Sequence, residues 1–240
     1  MTLLDVEGLS VRFGGITAVD NVNLSIEKGT LLGLIGPNGA GKTTLINAIS
    51  GLARPTAGSM AFDGHRNGPW PIAQAVNRGI VRTFQQNRVF MGITVRENLR
   101  LAAAAGQAAK GSTAALIGDE DAFGLRPHYD RVAKELPYGL LRQLGLRLAL
   151  ATSPKLLLLD EPAVGLTAAE VDNMGRIIRR LHAGGLTILL VEHNVRFLMG
   201  LAQRVCVLDR GRLLFDGTPE ACQASEDVID VYLGRQRADA

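Results

Sequence analysis

The chain of 240 residues is 47% apolar and 20% charged, which is ordinary for a globular protein and ample for a buried core. Its net charge is only +3, and no basic run is interleaved with aromatic residues, so we expect no nucleic-acid partner. No apolar run approaches the roughly 18 residues of a membrane span, and the first residues do not resemble a signal peptide. We therefore expect that any membrane span would come from a partner. Cys206 and Cys222 have no metal or redox spacing and are expected to be free thiols.

The first third of the chain is expected to be rich in strands. Alternating apolar residues predict β structure over residues 3–28. The apolar run Leu31–Ile35 predicts a short buried strand, and residues 45–49 have the pattern of a helix start. Turn residues predict a short hairpin over 53–64, followed by a helix and a strand between 70 and 81.

The segment 86–153 has a helical pattern that differs from its flanks. Thr94, with Glu97 three residues later, is expected to cap a helix that runs through Ala105. Residues 106–122 are rich in small residues and are expected to form a loose connection. A second helix is expected from about Gly139 to Ser153, because Pro154 would stop it. We predict a helical subdomain over 86–153, inserted in a core of residues 1–85 and 154–240.

Strands and helices alternate in the last third of the chain. Leu156–Leu159 is a continuous apolar run, which is typical of a strand buried on both faces. A helix over 168–183, a strand over 187–191 and another helix follow, and strands 204–208 and 212–215 are expected to form a terminal hairpin. This alternation predicts an α/β fold with a parallel sheet and right-handed crossovers.

A glycine-rich loop with the pattern G-x-x-x-x-G-K-T lies between a predicted strand and a predicted helix, the context in which it cradles phosphate. Glycines let successive backbone N–H groups turn towards one anion, and the helix N-terminus adds its dipole. Lys42 can reach the β- and γ-phosphates, and the Thr43 hydroxyl can bind Mg²⁺. The predicted phosphate-binding residues are Gly36, Asn38, Gly39, Ala40, Gly41, Lys42, Thr43 and Thr44.

Polar residues at the ends of two later strands suggest hydrolytic chemistry. Asp160 and Glu161 follow the strand 156–159, at the edge of a parallel sheet where ligands bind. Asp160 could hold Mg²⁺ and Glu161 could polarise the attacking water, whereas an acidic pair alone is more often an exposed loop. His193 follows the next strand and could reach the γ-phosphate or the water, although a single histidine is more often structural. Gln85 could contact Mg²⁺ or water and report nucleotide state to the helical segment, or be a surface glutamine.

In their order along the chain, these motifs resemble the ATP-binding subunit of an ABC transporter, and the resemblance covers essentially the whole chain. It implies a P-loop NTPase (RecA-like) core with a parallel sheet, an antiparallel β subdomain and an inserted α-helical subdomain. It also implies Mg²⁺-dependent ATP hydrolysis. Four phrases are similar to the branched-chain amino-acid branch of the family, although relatives that import urea or amides share them: Arg12–Gly15, Arg82–Gln85, Leu136–Gly139 and Val231–Gly234.

The resemblance implies further roles and partners. Phe13 would stack on adenine, with a core phenylalanine as the alternative, and ATP is favoured over GTP because no Asn-Lys-x-Asp guanine reader occurs. Tyr138 and Gly139 match the signature that meets the γ-phosphate of ATP held by a second subunit. The implied partners are that second ATP-binding subunit in a head-to-tail dimer, transmembrane permease subunits and, indirectly, a substrate-binding protein. The implied location is cytoplasmic, on the inner face of the cell membrane.

Two rival functions remain from the sequence: a soluble ABC ATPase acting in translation or DNA repair, and a regulatory module that does not hydrolyse ATP.

The signature also departs from the usual Leu-Ser-Gly-Gly-Gln. Pro137 lacks a hydroxyl and an N–H group, so one donor to the facing phosphate is lost. Leu140–Leu141 and Gly145 replace the Gln and Glu residues that the branched-chain group tends to carry, and Thr167 stands where the loop after Glu161 usually ends in Asp. We hypothesise a weak composite site, most useful opposite a paralogue with a full signature.

Overall fold

Two β-sheets carry the fold in the computed structural model, which describes residues 1–83, 89–106 and 120–233. The strands of these described residues are β1 (Thr2–Phe13), β2 (Ile16–Glu27), β3 (Leu31–Ile35), β4 (Ala57–Phe62), β5 (His65–Gly68), β6 (Ile80–Arg82), β7 (Leu156–Asp160), β8 (Thr187–Val191), β9 (Arg204–Asp209) and β10 (Arg212–Gly217). One sheet has four antiparallel strands in the order β2-β1-β4-β5. The other has six strands in the order β10-β9-β3-β8-β7-β6.

The six-stranded sheet is parallel apart from the β9–β10 hairpin, which confirms the predicted sheet type. Strands β3, β7 and β8 are buried at every residue. They have no solvent-facing side, so their sequences are continuous apolar runs and not alternating ones. All three end at the same edge of the sheet because they are parallel neighbours.

Eight α-helices are described. They are α1 (Lys42–Ile49), α2 (Ile72–Arg78), α3 (Val95–Gly106), α4 (Tyr138–Leu150), α5 (Ala168–Ala183), α6 (Val195–Met199), α7 (Pro219–Ala224) and α8 (Glu226–Leu233). Short 3₁₀ turns lie at Glu120–Phe123, Arg126–His128 and Ala133–Glu135. None of the described helices is long and apolar enough to cross a membrane.

Most predicted elements are found, with shifted ends. Helix α1 starts at Lys42, within the glycine-rich loop, and not at residue 45. Helix α4 ends at Leu150 and not at Ser153, whose positive φ of 52° is incompatible with a helix. The hairpin expected over 53–64 extends through Gly68. Helices α7 and α8 were not predicted from the sequence.

Capping boxes fix the start of two helices. Thr94 donates its backbone N–H to Glu97 Oε2 at 2.8 Å and accepts the Glu97 N–H on Oγ1 at 3.2 Å, which confirms the predicted cap of α3. Thr167 and Glu170 form the same reciprocal pair at the start of α5. Between β6 and β7, the described residues contain only helices and turns apart from one isolated bridge, Thr94 to Val132. Most of the connection predicted over 106–122 lies outside the described residues, and the subdomain boundaries stay a prediction.

The core has two layers, one on each face of the parallel sheet. Alternate residues of β3 enter opposite layers: Leu31 packs with α4 and α5, whereas Leu32 packs with α1 and the antiparallel sheet. This sandwich holds the strand ends rigidly. Cys206 and Cys222 belong to these layers, one to each, as buried free thiols. Burial raises the pKa of both thiols.

Candidate functional site

The glycine-rich loop joins β3 to α1 in a conformation that requires glycine. Gly36, Gly39 and Gly41 have φ angles of +154°, +80° and +101°. A Cβ on Gly36 would lie 2.1 Å from the carbonyl oxygen of Leu208, and one on Gly41 would lie 2.3 Å from that of Ala18. Gly41 caps α1 without any side-chain hydrogen bond, so the first amides of the helix are open to an anion.

Lys42 folds back over this loop. Its side chain donates to the carbonyl oxygens of Gly36 at 2.7 Å and Pro37 at 2.9 Å, and the residue is only 6% exposed. Burial lowers the pKa of Lys42, and the negative charges of Glu161 and Asp160 act in the opposite direction. The two carboxylates therefore lie within electrostatic reach of the loop.

A pocket of about 200 Å³ opens beside the loop and includes a histidine from elsewhere in the chain. Its lining residues are Ala18, Asn38, Gly39, Ala40, Gly41, Lys42, Thr43, Thr44 and His193. His193 reaches the pocket because β8 lies next to β3 in the sheet and both strands end at the same edge. A loop built for phosphate and an imidazole thus face one cavity.

Glu161 and His193 form a hydrogen-bonded pair, with 2.7 Å between Glu161 Oε1 and His193 Nε2. Glu161 follows β7 directly, and its backbone N–H is bonded to the carbonyl oxygen of Val191 at 2.9 Å. Its φ of +50° is an unfavourable value for a residue with a Cβ. Such strain concentrates at functional sites, where the surrounding structure holds it. With a carboxylate base and an imidazole side by side, the pair can bind and activate a water molecule next to it.

Asp160 has one oxygen engaged and one available. The residue is 1% exposed, and its Oδ2 accepts a hydrogen bond from Arg82 at 2.6 Å. Its Oδ1 is buried and has no hydrogen-bond partner among the described residues. A hard divalent cation takes such an oxygen as a ligand, and Thr43, whose hydroxyl is a second oxygen ligand, lines the pocket beside the loop. The residues present therefore fit Mg²⁺.

Glu192 is a buried acid to which the sequence analysis assigned no role. It is 2% exposed, and its Oε1 accepts the backbone N–H of Ala163 at 2.7 Å. Burial raises its pKa, whereas bonds from the N–H groups of Ala163, Asn194 and His193 lower it. The carboxylate therefore ties the loop after Glu161 to the loop that carries His193. Its position directly after an apolar strand, like that of Asp160, was the available signal.

Two predicted site residues are not found in the described pocket, one of them because it lies outside the described residues. Phe13, at the end of β1, is 56% exposed and does not line the pocket, although Ala18 of the same hairpin does. A stacking role for Phe13 stays a prediction. Gln85 lies outside the described residues, so its predicted contact with Mg²⁺ or water has no structural counterpart here.

Tyr138 and Gly139 begin helix α4 and do not line the phosphate pocket of their own chain. Tyr138 is 45% exposed, with the Arg142 guanidinium 5.1 Å from its ring centre. The Gly139 N–H donates to the Glu170 carboxylate, and a Cβ on Gly139 would lie 2.2 Å from Glu170 Oε1. One carboxylate thus serves the starts of both α4 and α5.

Comparisons with known proteins agree with this geometry. The family model described as ABC transporter matches residues 19–164. The chain is 39% identical to the high-affinity branched-chain amino acid transport ATP-binding protein LivG of Escherichia coli K12, and 36% identical to BraF of Pseudomonas aeruginosa. Each alignment covers 97% of this chain and 98% of the relative. An ATP-binding cassette of an ABC transporter, solved in its ADP conformation, has a TM-score of 0.85 at 28% identity, covering 98% of this chain and 100% of that one.

Proposed function

The chain belongs to the ABC transporter family, and on that premise we propose that it is the ATPase subunit of an importer for branched-chain or related amino acids. The observation that carries the hydrolytic part is the Glu161–His193 pair of 2.7 Å beside the glycine-rich loop. The substrate class is supported by the two relatives named above, whose names state branched-chain amino acid transport. An importer of urea or amides is the second candidate, since its ATPases share the motifs.

In this proposal the phosphates of ATP occupy the pocket around the loop. The open amides of α1 and the positive charge of Lys42 bind the β- and γ-phosphates, with the Lys42 ammonium exchanging its loop carbonyls for phosphate oxygens. Glu161 accepts a proton from the attacking water. His193 holds the Glu161 carboxylate and contacts the γ-phosphate or the water from the pocket wall.

Thr43 and the free Oδ1 of Asp160 would hold Mg²⁺, and Gln85 is the further ligand proposed from its place in the sequence. When bound, the ion neutralises charge that develops on the transferred phosphoryl group. The Phe13 side chain is exposed, so its ring is accessible to a nucleobase. We propose that its ring stacks on adenine.

The second half of the site is proposed to come from another ATP-binding subunit in a head-to-tail dimer. Tyr138 is exposed at a helix N-terminus outside its own phosphate pocket, which suits a contact with the partner's γ-phosphate, whereas Gly139 beside it is buried and would have to release its bond to Glu170 to join that contact. Because Pro137 cannot donate a hydrogen bond, this half is weak, and a mixed pair with a full-signature paralogue should hydrolyse ATP faster than the lone subunit. Equal rates per site would contradict this.

A membrane partner is proposed to dock on the helical subdomain, residues 86–153. Phe90, Met91 and Leu101 are exposed by 62%, 42% and 51% there. Asn98, itself 1% exposed, holds Phe90 in place by accepting its N–H at 2.9 Å and donating to its carbonyl oxygen at 3.0 Å. Exposed apolar side chains in this segment suit a contact with a permease, which would place the chain on the cytoplasmic face of the membrane. A substrate-binding protein would be an indirect partner.

Replacing Glu161 tests the hydrolytic assignment. Glu161→Gln keeps the shape of the side chain and its contact with His193 but removes the base, so we expect ATP turnover to fall by about 10²–10⁴-fold. ATP binding should change by less than about twofold because the phosphate loop is untouched. Glu97→Gln, an exposed glutamate in a capping box away from the pocket, is the control. Unchanged turnover in Glu161→Gln would refute the assignment of the base.

The substrate class is tested by transport. The chain would be co-expressed with permease subunits and a binding protein encoded beside it, and the complex placed in liposomes loaded with ATP. Uptake of leucine, but not urea or acetamide, is the expected result. Uptake of urea or acetamide alone would support the second candidate.

Co-purification with ribosomes or DNA, and not with a polytopic membrane protein, would favour a soluble ABC ATPase.

A further inference from the structure

Arg82 connects three elements of the site, and no role in hydrolysis has been assigned to it above. It lies at the end of β6, paired with Leu158 of β7, two residues before Asp160. One guanidinium nitrogen donates to Asp160 Oδ2 at 2.6 Å, and another donates to Asn47 Oδ1 on α1. The side chains of Arg82 and Asp160 are 7% and 1% exposed, so the pair is buried.

The geometry points to Arg82 as the positioning residue for the metal ligand Asp160. This inference rests on the proposed Mg²⁺ site and names the residue that orients it. A guanidinium stays charged even when buried, and its planar fork fixes the partners that it binds. By occupying Oδ2, Arg82 fixes the carboxylate rotation and leaves Oδ1 as the oxygen for the ion.

The second contact of Arg82 extends this role to the phosphate loop. Asn47 lies on α1, five residues after Lys42, in the helix that begins within the loop. The chain Asn47–Arg82–Asp160 therefore sets the distance between the phosphate-binding helix and the end of β7. Groups that orient a metal ligand in this way typically contribute 10–100-fold to metal affinity or activity.

If Arg82 had only a structural role, it would hold β6 against α1 and would not affect the metal. Measuring metal binding therefore separates this structural role from the proposed positioning of Asp160. Binding of a fluorescent ADP analogue to the full chain would be measured in EDTA and then across a Mg²⁺ titration. For Arg82→Met we expect the Mg²⁺ concentration at the midpoint to rise about 10–100-fold, with metal-free ADP binding within about twofold of wild type. Arg82→Lys retains the charge and should recover part of the loss.

Arg204→Met is the matched control. Arg204 also holds an aspartate, Asp216, with two guanidinium nitrogens, but on β9 and β10 and away from the pocket. The Mg²⁺ concentration at the midpoint for Arg204→Met should equal that of wild type. An unchanged or lower midpoint in folded Arg82→Met, or an equal loss of metal-free binding, would overturn the inference.

If Arg82→Met does not fold, Asn47→Ala takes its place. It removes the anchor on α1 and keeps the Arg82–Asp160 pair, so the midpoint should rise by a smaller factor, roughly 2–10-fold, below the 10–100-fold typical when the direct partner of a metal ligand is lost. No rise would overturn the inference. A wild-type chain whose nucleotide binding does not depend on Mg²⁺ would instead refute the Mg²⁺ site of the proposed function, on which the inference rests.

Discussion

Gly33 packs against the helix that follows His193, and replacing it should disturb both the sheet and that helix. It lies in the centre of β3, and a Cβ there would be 2.4, 2.9 and 3.1 Å from Leu198 Cδ2, Cγ and Cδ1. Carbon atoms pack best at about 3.5–4.0 Å, so the nearest contact would overlap by more than 1 Å. Leu198 is fully buried in α6.

Gly33→Ala should therefore cost about 1–3 kcal/mol of unfolding free energy, the usual range for one extra methyl group in a packed core. For a chain of this size, that corresponds to a fall in Tm of roughly 2–12 °C. The relief would come from a shift of α6, whose N-cap Asn194 directly follows His193. ATP turnover should fall as well, because the contact between His193 and Glu161 would be displaced.

A double-mutant cycle tests this cause. Leu198→Ala alone should cost about 2–5 kcal/mol through the cavity that it leaves. In that background the new methyl group of Gly33→Ala has room, so the double variant should be more stable than the sum of the two single losses predicts. The measurement is urea unfolding followed by circular dichroism. Additive losses within about 0.5 kcal/mol would refute the proposed clash.

Three further predictions concern pH and a second close contact. Burial places the folded-state pKa of Glu192 above its unfolded value, so its contribution to stability is present below about pH 4.5 and is lost as the pH rises through the folded pKa. The unfolding free energy of Glu192→Gln should therefore increase relative to that of wild type between about pH 4.5 and 8. A difference that does not change with pH would contradict this. Hydrogen bonds from two lysine side chains lower the pKa of Asp63 to about 2, so Asp63 stabilises the fold above about pH 3.8. Asp63→Asn should lower the unfolding free energy by less than about 1 kcal/mol at pH 7, and by less still in 1 M salt or as the pH falls towards 2. Gly139→Ala should lower Tm, because its new Cβ would lie 2.2 Å from Glu170 Oε1 and would displace that carboxylate. In a Glu170→Ala background the same substitution should cause no such loss of Tm, and an equal loss with and without Glu170 would contradict the contact.

The parts of the fold that depend on local pattern were predictable. Three strands of the parallel sheet are continuous apolar runs, and α5 begins at a Thr167–Glu170 capping box, so their bounds match the expectations closely. Helix α7 was not predicted, although Thr218 accepts the Ala221 N–H and Pro219 follows it. A threonine before a proline was the available signal.

The contacts within the site depend on pairing between distant residues, which local pattern does not contain. Arg82 and Asp160 are 78 residues apart in sequence and meet only because β6 and β7 are neighbours in the sheet. The strand-end rule predicted that Asp160, Glu161 and His193 would share one edge, but not that Arg82 would occupy one oxygen of Asp160. Glu192 lies at the same edge, yet its role follows from burial, which a single acidic residue in a sequence does not reveal.

The two cysteines of this chain have a consequence for chemical labelling. Both thiols are buried and their pKa values are raised, so at neutral pH they are almost entirely protonated and shielded from maleimide reagents. A cysteine introduced at an exposed position, such as Ile16 beside Phe13, would therefore react alone in the otherwise natural chain. Fluorescent or spin labels can therefore test the proposed approach of two subunits without removal of a native thiol.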